Sequence, residues 1–380
     1  MKSTRTRAVV SLMLSSALVG QAIAAPAPGV AAPAPAAALA TKSVDAKTIG
    51  DARKAVDKGI TFLRSKQAEN GSYGNHVGLT SMALVAMAES HRAYRVEDGP
   101  FVRLAADWLV AQQRADGAIT GDATPAYNTS LAIMALQALD PVKFKAQIEA
   151  GQRFLVKDQT DEDKKYLPTD KYYGGIGYGG DERPDLSNLQ LAVEALRKTG
   201  YDPTSDVWKK AETFLSRCQN RSESNDQPWS GNDGGFVYEP GDSKAGGTKS
   251  YAGMTFAGLK SLIFAQVKKD DPRVKAAFDW IRAHYTFAEN PGLGQQGLWY
   301  YLHAASRALL AANATTIVPA AGGAPRNWRD DLVDTVLALQ RTDGSWVNTA
   351  DRWQEGKPEL VTAYAVLALE EALKPVLRAQ

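Results

Sequence analysis

The feature that most constrains the fold of this 380-residue chain is a two-helix unit that recurs six times between residues 56 and 373. In four units an aromatic residue of the first helix precedes a glutamine by five positions: Phe62 and Gln67, Trp108 and Gln113, Phe154 and Gln159, Phe214 and Gln219. Where the join between the helices is short, a glycine follows the glutamine by four positions, at Gly71, Gly117 and Gly344. Because such a unit can bury its apolar face only against its neighbours, the repeat predicts an array of packed helical hairpins.

The second helix of each unit carries a different pattern, in which small residues alternate with aliphatic ones. It occurs at 83–87, 132–136, 192–196, 258–262 and 365–369, and more weakly at 305–309. Small residues at a spacing of three to four let helices approach closely, so these apolar helices are predicted to form an inner ring inside the more charged first helices. The sequence therefore predicts an all-α fold, an α6/α6 toroid of six helical hairpins. An open solenoid fits less well because the unit length varies.

The first residues are typical of a targeting segment. A positive stretch (Lys2, Arg5, Arg7) precedes an apolar run at 8–19 and an Ala-Ile-Ala cleavage signal at 22–24. We predict a signal peptide at 1–24, an Ala/Pro-rich linker at 25–47 and the toroid domain at 48–380, with the protein exported to the periplasm or secreted. No later segment has the length of a transmembrane helix. The formal charge of +2 comes from interspersed acids and bases, which argues against a nucleic-acid partner.

The glutamine-glycine-aromatic spacing at 62–73 and 340–346 resembles the QW repeats of squalene–hopene cyclases and related terpene cyclases. The likeness covers most of residues 50–373. The chain is most similar to exported bacterial proteins with prenyltransferase/squalene-oxidase repeats, through the stretches 183–188, 251–260 and 289–292. This resemblance implies the barrel of terpenoid cyclases and protein prenyltransferases, and a hydrophobic, isoprenoid-like small molecule in its central cavity.

The same resemblance exposes a gap in the catalytic motif. Terpene cyclases of this type protonate an alkene with an aspartic acid in a P-D-x-D-D-T-A motif, and the matching segment here is 184–190. Asp185 keeps the first aspartate, but Ser187 stands at the proton donor and Asn188 at the next aspartate. Neither a hydroxyl nor an amide can protonate a carbon–carbon double bond at ordinary pH. We therefore expect no class II cyclisation by the family mechanism.

Metal chemistry of the related families is not expected either. Cys218, the only cysteine, lies on a first helix and is interpreted as a buried side chain rather than the zinc-binding thiolate of prenyltransferases. The DDxxD sequence at 330–334 matches a magnesium–diphosphate motif of another fold, and is interpreted here as part of a solvated outer helix face. We predict no metal and no cofactor.

Residues that open the inner helices are the candidates for lining a central cavity. The set is Asn128, Thr129, Ser187, Asn188, Gln190, Tyr251, Thr255, Trp299, Tyr300, His303, Thr362 and Tyr364. Two interpretations stay open for several of them: Ser187 and Asn188 could instead cap their helix, and the aromatic run 298–303 could be core, with His303 hydrogen-bonded. The candidates for a catalytic role are Asp185, Tyr300 and His303. The glycine-rich joins at 174–180, 231–235 and 246–247 are candidate lids over the mouth.

Three functions remain compatible with these residues. The first is binding of a hydrophobic ligand in the toroid. The second is a glycan-active enzyme, either a lyase using Tyr300 and His303 or a hydrolase using two carboxylates. The third is a non-catalytic scaffold or binding module. An apolar aromatic cavity would favour the first, a polar open groove the second, and a filled centre with an apolar outer patch the third.

Overall fold

The computed structural model describes residues 45–121, 124–179 and 183–377. The predicted signal peptide and nearly all of the predicted linker lie outside these residues. The described residues form twelve α-helices and no strand longer than an isolated bridge. The helices are α1 (Ala46–Ser65), α2 (Val77–Glu89), α3 (Pro100–Ala111), α4 (Pro125–Leu139), α5 (Lys145–Asp158), α6 (Leu186–Lys198), α7 (Val207–Cys218), α8 (Ala252–Phe264), α9 (Pro272–Ala283), α10 (Leu298–Ala311), α11 (Trp328–Ala338) and α12 (Pro358–Leu377).

The even-numbered helices form a closed inner ring. Each packs against the next even-numbered helix, and α12 returns to contact α2. The odd-numbered helices lie outside the ring, with α3 on α2, α5 on α4, α9 on α8 and α1 on α12. This arrangement confirms the predicted all-α, α6/α6 toroid and excludes the open solenoid. Within the described residues, no helix combines the length and apolar character that crossing a bilayer requires.

The inner helices are more extensively buried than the outer helices, as their sequences predict. The inner helix α8 is buried from Ala252 to Leu262, whereas the outer helix α3 buries one stripe of four residues. Small residues set the spacing between layers: a Cβ atom added to Gly258 in α8 would lie 2.4 Å from the Phe236 ring. Larger residues at this position would therefore push the loop and helix apart.

The repeated glutamines join each outer helix to the next. The Gln219 side-chain amide donates hydrogen bonds to the carbonyl oxygens of Gly234 (2.9 Å) and Arg273 (2.8 Å), and Arg273 lies in α9. The corresponding two bonds are made by Gln67, Gln113 and Gln159. Gln340 reaches back to Ala55 in α1, at 2.9 Å, and so closes the ring. Each glutamine thereby connects a carbonyl of its own join to a backbone carbonyl of the next outer helix.

The glycine at each join is required by its close approach to the following outer helix. At Gly174 the φ angle is +84°, and a Cβ atom would lie 1.8 Å from the carbonyl oxygen of Lys210 in α7. The equivalent glycines at 71, 117, 234 and 344 also have positive φ, and each meets the backbone of the next outer helix in the same way. The third join is thus packed against α7 at this glycine, although it was a candidate lid.

The fifth join uses a tyrosine in place of the glutamine. The Tyr285 hydroxyl donates a hydrogen bond of 2.8 Å to Asp331 in α11, and Arg326 pairs with the same carboxylate. Asp331 belongs to the DDxxD sequence, which was interpreted as part of a solvated face. The Asp331 side chain is instead about one-fifth exposed (21%) and connects α11 to the preceding unit.

Charged side chains fill the ring between the C-terminal halves of the inner helices. Glu194 of α6 contacts Lys260 of α8 at 2.5 Å and also pairs with Arg307 of α10. Glu89, Lys198, Glu371 and Lys374 extend this ion network. Burial favours the neutral form of Glu194, but the surrounding cations outweigh it and hold the pKa of this carboxyl well below its usual range. This end of the ring is therefore closed by ion pairs rather than by apolar packing.

Candidate functional site

A cavity of about 510 Å³ lies at the opposite end of the ring, among the N-termini of the inner helices. All six inner helices contribute to its wall, through residues such as Leu79, Tyr127, Ser187, Met254, Tyr300 and Leu360. The convergence of six helix starts on one space follows from the parallel arrangement of the inner ring. A cavity of this volume falls within the range that binds small molecules.

Tyrosines dominate the wall of this cavity. Six contribute to the lining: Tyr127, Tyr178, Tyr238, Tyr251, Tyr300 and Tyr364. The Tyr300 ring meets that of Tyr364 edge-on, with centroids 6.3 Å apart. Burial raises the pKa of both phenols, so they stay neutral at physiological pH.

Most of the tyrosine hydroxyls lie next to other polar side chains. The Tyr300 hydroxyl lies 3.3 Å from the Ser187 hydroxyl and accepts a bond of 3.2 Å from the Gln190 amide. The Tyr127 hydroxyl lies near that of Tyr364. Burial raises the pKa of Tyr238, and the nearby Asp185 carboxyl and Tyr178 hydroxyl raise it further. The tyrosine rings therefore supply much of the surface available to a ligand.

Four of the twelve candidate ligand-binding residues line the cavity, namely Ser187, Tyr251, Tyr300 and Tyr364. Gln190 reaches it indirectly by donating to Tyr300. Trp299 packs in the core, where its ring lies 6.5 Å from that of Trp346. The structure therefore brings part of the predicted set together at the mouth and assigns the rest to the surrounding framework.

The three predicted threonines face the joins instead of the cavity. The hydroxyl oxygens of Thr129, Thr255 and Thr362 accept hydrogen bonds of 2.9 to 3.1 Å from the backbone N–H of the large residue that follows each join glycine. All three are fully buried. Asn128 is also buried, and its amide donates to the hydroxyls of Thr120 and Thr124. Buried loop N–H groups need an acceptor, and these threonines supply it.

Asp185 is the N-cap of α6. Its carboxylate accepts the backbone N–H of Asn188 at 2.9 Å and the Asn188 side-chain amide at 2.6 Å. Burial raises the pKa of Asp185 to about 6, against the lowering effect of the hydrogen bonds from Asn188 and of the nearby Tyr238 hydroxyl. Since Tyr238 lines the cavity, its hydroxyl connects this titratable carboxyl to the cavity wall. Asn188 thus supports the helix cap, which agrees with the capping interpretation.

His303 lies deeper than the cavity wall. Its ring is tilted against Tyr364 with centroids 5.4 Å apart, and the side chain is buried. Burial, with the nearby Arg307 charge, holds the pKa of His303 well below its usual value. Its Nε2 atom has no hydrogen-bond partner among the described residues, in contrast to the predicted hydrogen-bonded core histidine. A lyase pair of Tyr300 and His303 is disfavoured because Tyr300 lines the cavity but His303 does not.

Glu355 is a cavity residue that the sequence did not reveal. It lies three positions before α12, is 1% exposed, and contributes to the cavity lining. Its carboxylate accepts the backbone N–H of Tyr300 at 2.8 Å and the Asn348 amide at 2.7 Å. Burial raises the pKa of Glu355. No periodicity marks this position, because a loop rather than a helix carries it.

The preceding turn holds Glu355 in place and forms part of the rim. Trp353 and Gln354 both adopt left-handed backbone conformations, with φ of 60° and 67°. For a bulky residue such as tryptophan this conformation is strained. The Trp353 side chain is 43% exposed and lies over Gly297, the N-cap of α10. The third and fourth joins complete the wall with Tyr178, Tyr238 and Lys244; Gly180, at the end of the predicted glycine-rich lid, lies outside the described residues.

Two other sequence hypotheses concern Cys218 and metal binding. Cys218 is fully buried, and burial raises its pKa well above the usual value, as a buried structural cysteine requires. No cluster of three or more His, Cys, Asp or Glu side chains able to hold a metal ion occurs in the part of the chain that the structure describes.

No protein-family model and no curated protein matches the sequence. Solved structures do match its fold. A variant of the type II terpene cyclase MstE from Scytonema, in complex with geranylgeranyl dihydroxybenzoate, is 11% identical, with a TM-score of 0.52 over 86% of this chain and 99% of its own. Another MstE variant, in complex with merosterolic acid A, is 12% identical and has a TM-score of 0.51 over 87% and 99%.

A glycoside hydrolase fold matches as well. A family 76 glycoside hydrolase (mannosidase) from Bacteroides thetaiotaomicron is 12% identical, with a TM-score of 0.57 over 85% of this chain and 99% of its own. These identities are low, and function differs widely among proteins that share a fold. The chain has the α/α toroid fold found in type II terpene cyclases and in family 76 glycoside hydrolases.

Proposed function

We propose that this protein binds a hydrophobic, isoprenoid-like small molecule in the tyrosine-lined cavity. The observation that carries the proposal is the lining of six tyrosines, because the hydroxyls of five of them lie next to other polar side chains of the protein. The wall therefore offers ring surface to a ligand. Aromatic faces and edges suit an unsaturated hydrocarbon chain.

Apolar side chains extend this surface around the cavity. Leu79, Met254 and Leu360 lie among the tyrosines, and Trp353 lies at the rim. Burying a chain of apolar carbons against such a wall contributes about 25 cal/mol per Å² of surface removed from water. A cavity of about 510 Å³ is large enough for a drug-sized molecule and would bury most of it.

The proposed role is binding without class II cyclisation. At the position of the family's proton donor, the Ser187 hydroxyl lies 3.3 Å from the Tyr300 hydroxyl, where it cannot act as a strong acid. Asp185 keeps a titratable proton, but it caps α6 and meets the cavity only through Tyr238. We further propose that the protein acts outside the cytoplasm, on the strength of its predicted signal peptide.

Glycan processing is the second candidate, because two carboxyl groups with raised pKa values lie at or next to the cavity wall. A glycoside hydrolase needs such a pair, one on each side of the scissile bond. Here both carboxyls already make structural hydrogen bonds. Asp185 caps α6, and Glu355 accepts the backbone N–H of Tyr300 in the first turn of α10. The half-exposed Trp353 could stack on a sugar ring, but tyrosine rings and apolar side chains supply much of the wall.

The test is to identify what the protein retains when purified from its own host. Native mass spectrometry should show a non-covalent adduct, and extraction with organic solvent should release an apolar compound. A water-soluble carbohydrate adduct would instead support glycan binding. Absence of any adduct, together with no binding of added geranylgeraniol, would refute the proposal and favour a scaffold.

A further inference from the structure

Three lysines from separate parts of the chain meet at the rim of the tyrosine-lined cavity. Lys66 follows α1, Lys244 lies in the fourth join, and Lys357 directly precedes α12. Lys66 and Lys357 are exposed, and Lys244 is half-buried. The acidic residues of the lining are Glu355, which is buried, and Glu359.

The charges of these lysines are largely uncompensated by the carboxylates of the part of the chain that the structure describes. Neither Lys66 nor Lys357 forms an ion pair with any described carboxylate: Lys66 lies 5.2 Å from the centre of the Phe62 ring, and Lys357 donates a hydrogen bond of 2.8 Å to Gln354. The Lys244 ammonium lies 4.0 Å from the Asp242 carboxylate, at the outer limit of an ion pair. A surface lysine such as Lys47, by contrast, pairs with Asp51 at 2.9 Å.

The Lys244 ammonium is held directly above the cavity wall. It lies 3.9 Å from the centroid of the Tyr238 ring, close enough for a cation–π interaction. Tyr238 in turn lies near the Asp185 carboxyl. The charge is therefore positioned before any ligand binds, which reduces the entropy lost on binding.

The inner helices add to the positive potential at this end of the ring. The N-cap residues of α2, α4, α8 and α10 all line the cavity: His76, Thr124, Tyr251 and Gly297. Each helix N-terminus carries about half a positive charge from its aligned peptide dipoles. Glu355 offsets this charge at α10 and Asp185 offsets it at α6, whereas the rim lysines reinforce it.

We infer that the ligand is an amphiphile with an anionic head, whose apolar body lies among the tyrosines and whose phosphate or carboxylate group lies between Lys66, Lys244 and Lys357. This inference rests on the proposed binding function and adds the ligand's polarity and orientation. Lysine ammonium groups suit such heads because each is a compact positive charge that can donate hydrogen bonds to phosphate or carboxylate oxygens. A neutral lipid would gain no ion-pair attraction from these three lysines.

The test compares three probes by calorimetry at low salt: geranylgeranyl phosphate, geranylgeraniol and inorganic phosphate. We expect the lipid phosphate to bind about tenfold more tightly than the alcohol, since each partly exposed ion pair contributes modestly. In the triple variant Lys66→Gln/Lys244→Gln/Lys357→Gln this preference should fall to about twofold or less, while geranylgeraniol binds as it does to the wild type.

A matched variant controls for the loss of three positive charges. Lys47→Gln/Lys54→Gln/Lys145→Gln removes three exposed lysines of outer helices, whose side chains are 87%, 75% and 73% exposed, and should keep the full preference. Equal binding of the two lipids to the wild type would overturn the inference but leave hydrophobic binding intact. Inorganic phosphate that binds as tightly as the lipid phosphate would overturn it in favour of a free-anion site. If neither lipid binds, the proposed function itself fails.

Discussion

The packing of each join glycine against the next outer helix can be tested at Gly174. Replacing this residue with alanine places a Cβ atom 1.8 Å from the Lys210 carbonyl oxygen, which belongs to the backbone of α7 and cannot rotate away. The left-handed φ of +84° adds a conformational cost of about 1–2 kcal/mol. Overpacking against a fixed backbone adds about 1–3 kcal/mol. Gly174→Ala should therefore lower the free energy of unfolding by about 2–5 kcal/mol.

Gly246 provides a matched control in the fourth join. Its φ is +89°, but an added Cβ atom would meet no atom within 4 Å. Gly246→Ala should therefore cost only the conformational term of about 1–2 kcal/mol. Urea unfolding followed by circular dichroism measures both variants, and the slope against urea should stay as in the wild type. If the two variants lose the same stability, close packing is not the reason for glycine at the join.

Further predictions concern the buried charges. Glu194→Gln removes the buried carboxylate that pairs with Lys260 and Arg307, and it leaves Lys260 without an ion pair among the described residues. It should therefore cost about 3–5 kcal/mol at pH 7, whereas Glu149→Gln on the surface should cost under about 1 kcal/mol. Because the pKa of Glu194 is lowered on folding, its contribution is present at neutral pH and lost as the pH falls below its usual value of 4.5; unfolding at pH 7 and pH 4 should show a smaller acid loss in Glu194→Gln than in the wild type. Carboxyl NMR should show Asp185 titrating near pH 6, and Tyr238→Phe should raise that midpoint, because the nearby tyrosine hydroxyl lowers it; an unchanged midpoint would refute the proposed connection. Since the pKa of Asp185 lies above its usual 3.8, its contribution favours folding at low pH and is lost as the pH rises through about 6.

The ring and its joins were predictable because they repeat. A glutamine and a glycine at fixed spacing, as at Gln113 and Gly117, indicate the same local contact in every unit, and alternating small residues identify the inner helices. The repeat also misled, because inner-helix openings such as Thr255 were assigned to the cavity. The Thr255 hydroxyl instead accepts the backbone N–H of Phe236 in the join, and the threonine does not line the cavity.

The features that were not predictable depend on contacts between distant segments. Glu355 and the rim residue Lys244 lie on loops, where no periodic pattern indicates the direction of a side chain. Glu194 and Lys260 each look like an isolated charge in an otherwise apolar helix. Only the packing of α6 against α8 brings them to 2.5 Å and compensates for their burial.

The central claim, that the tyrosine-lined cavity binds an apolar molecule, is tested most directly by filling that cavity. Leu360 lines it, whereas Leu339 is 45% exposed at the end of α11 and is not part of its lining. Binding of geranylgeraniol should be measured for the wild type, Leu360→Trp and Leu339→Trp, with thermal unfolding to confirm that each protein is folded. We predict saturable binding to the wild type and to Leu339→Trp, and at least tenfold weaker binding to a folded Leu360→Trp. Equal binding to all three proteins, or binding to none of them, would contradict the account.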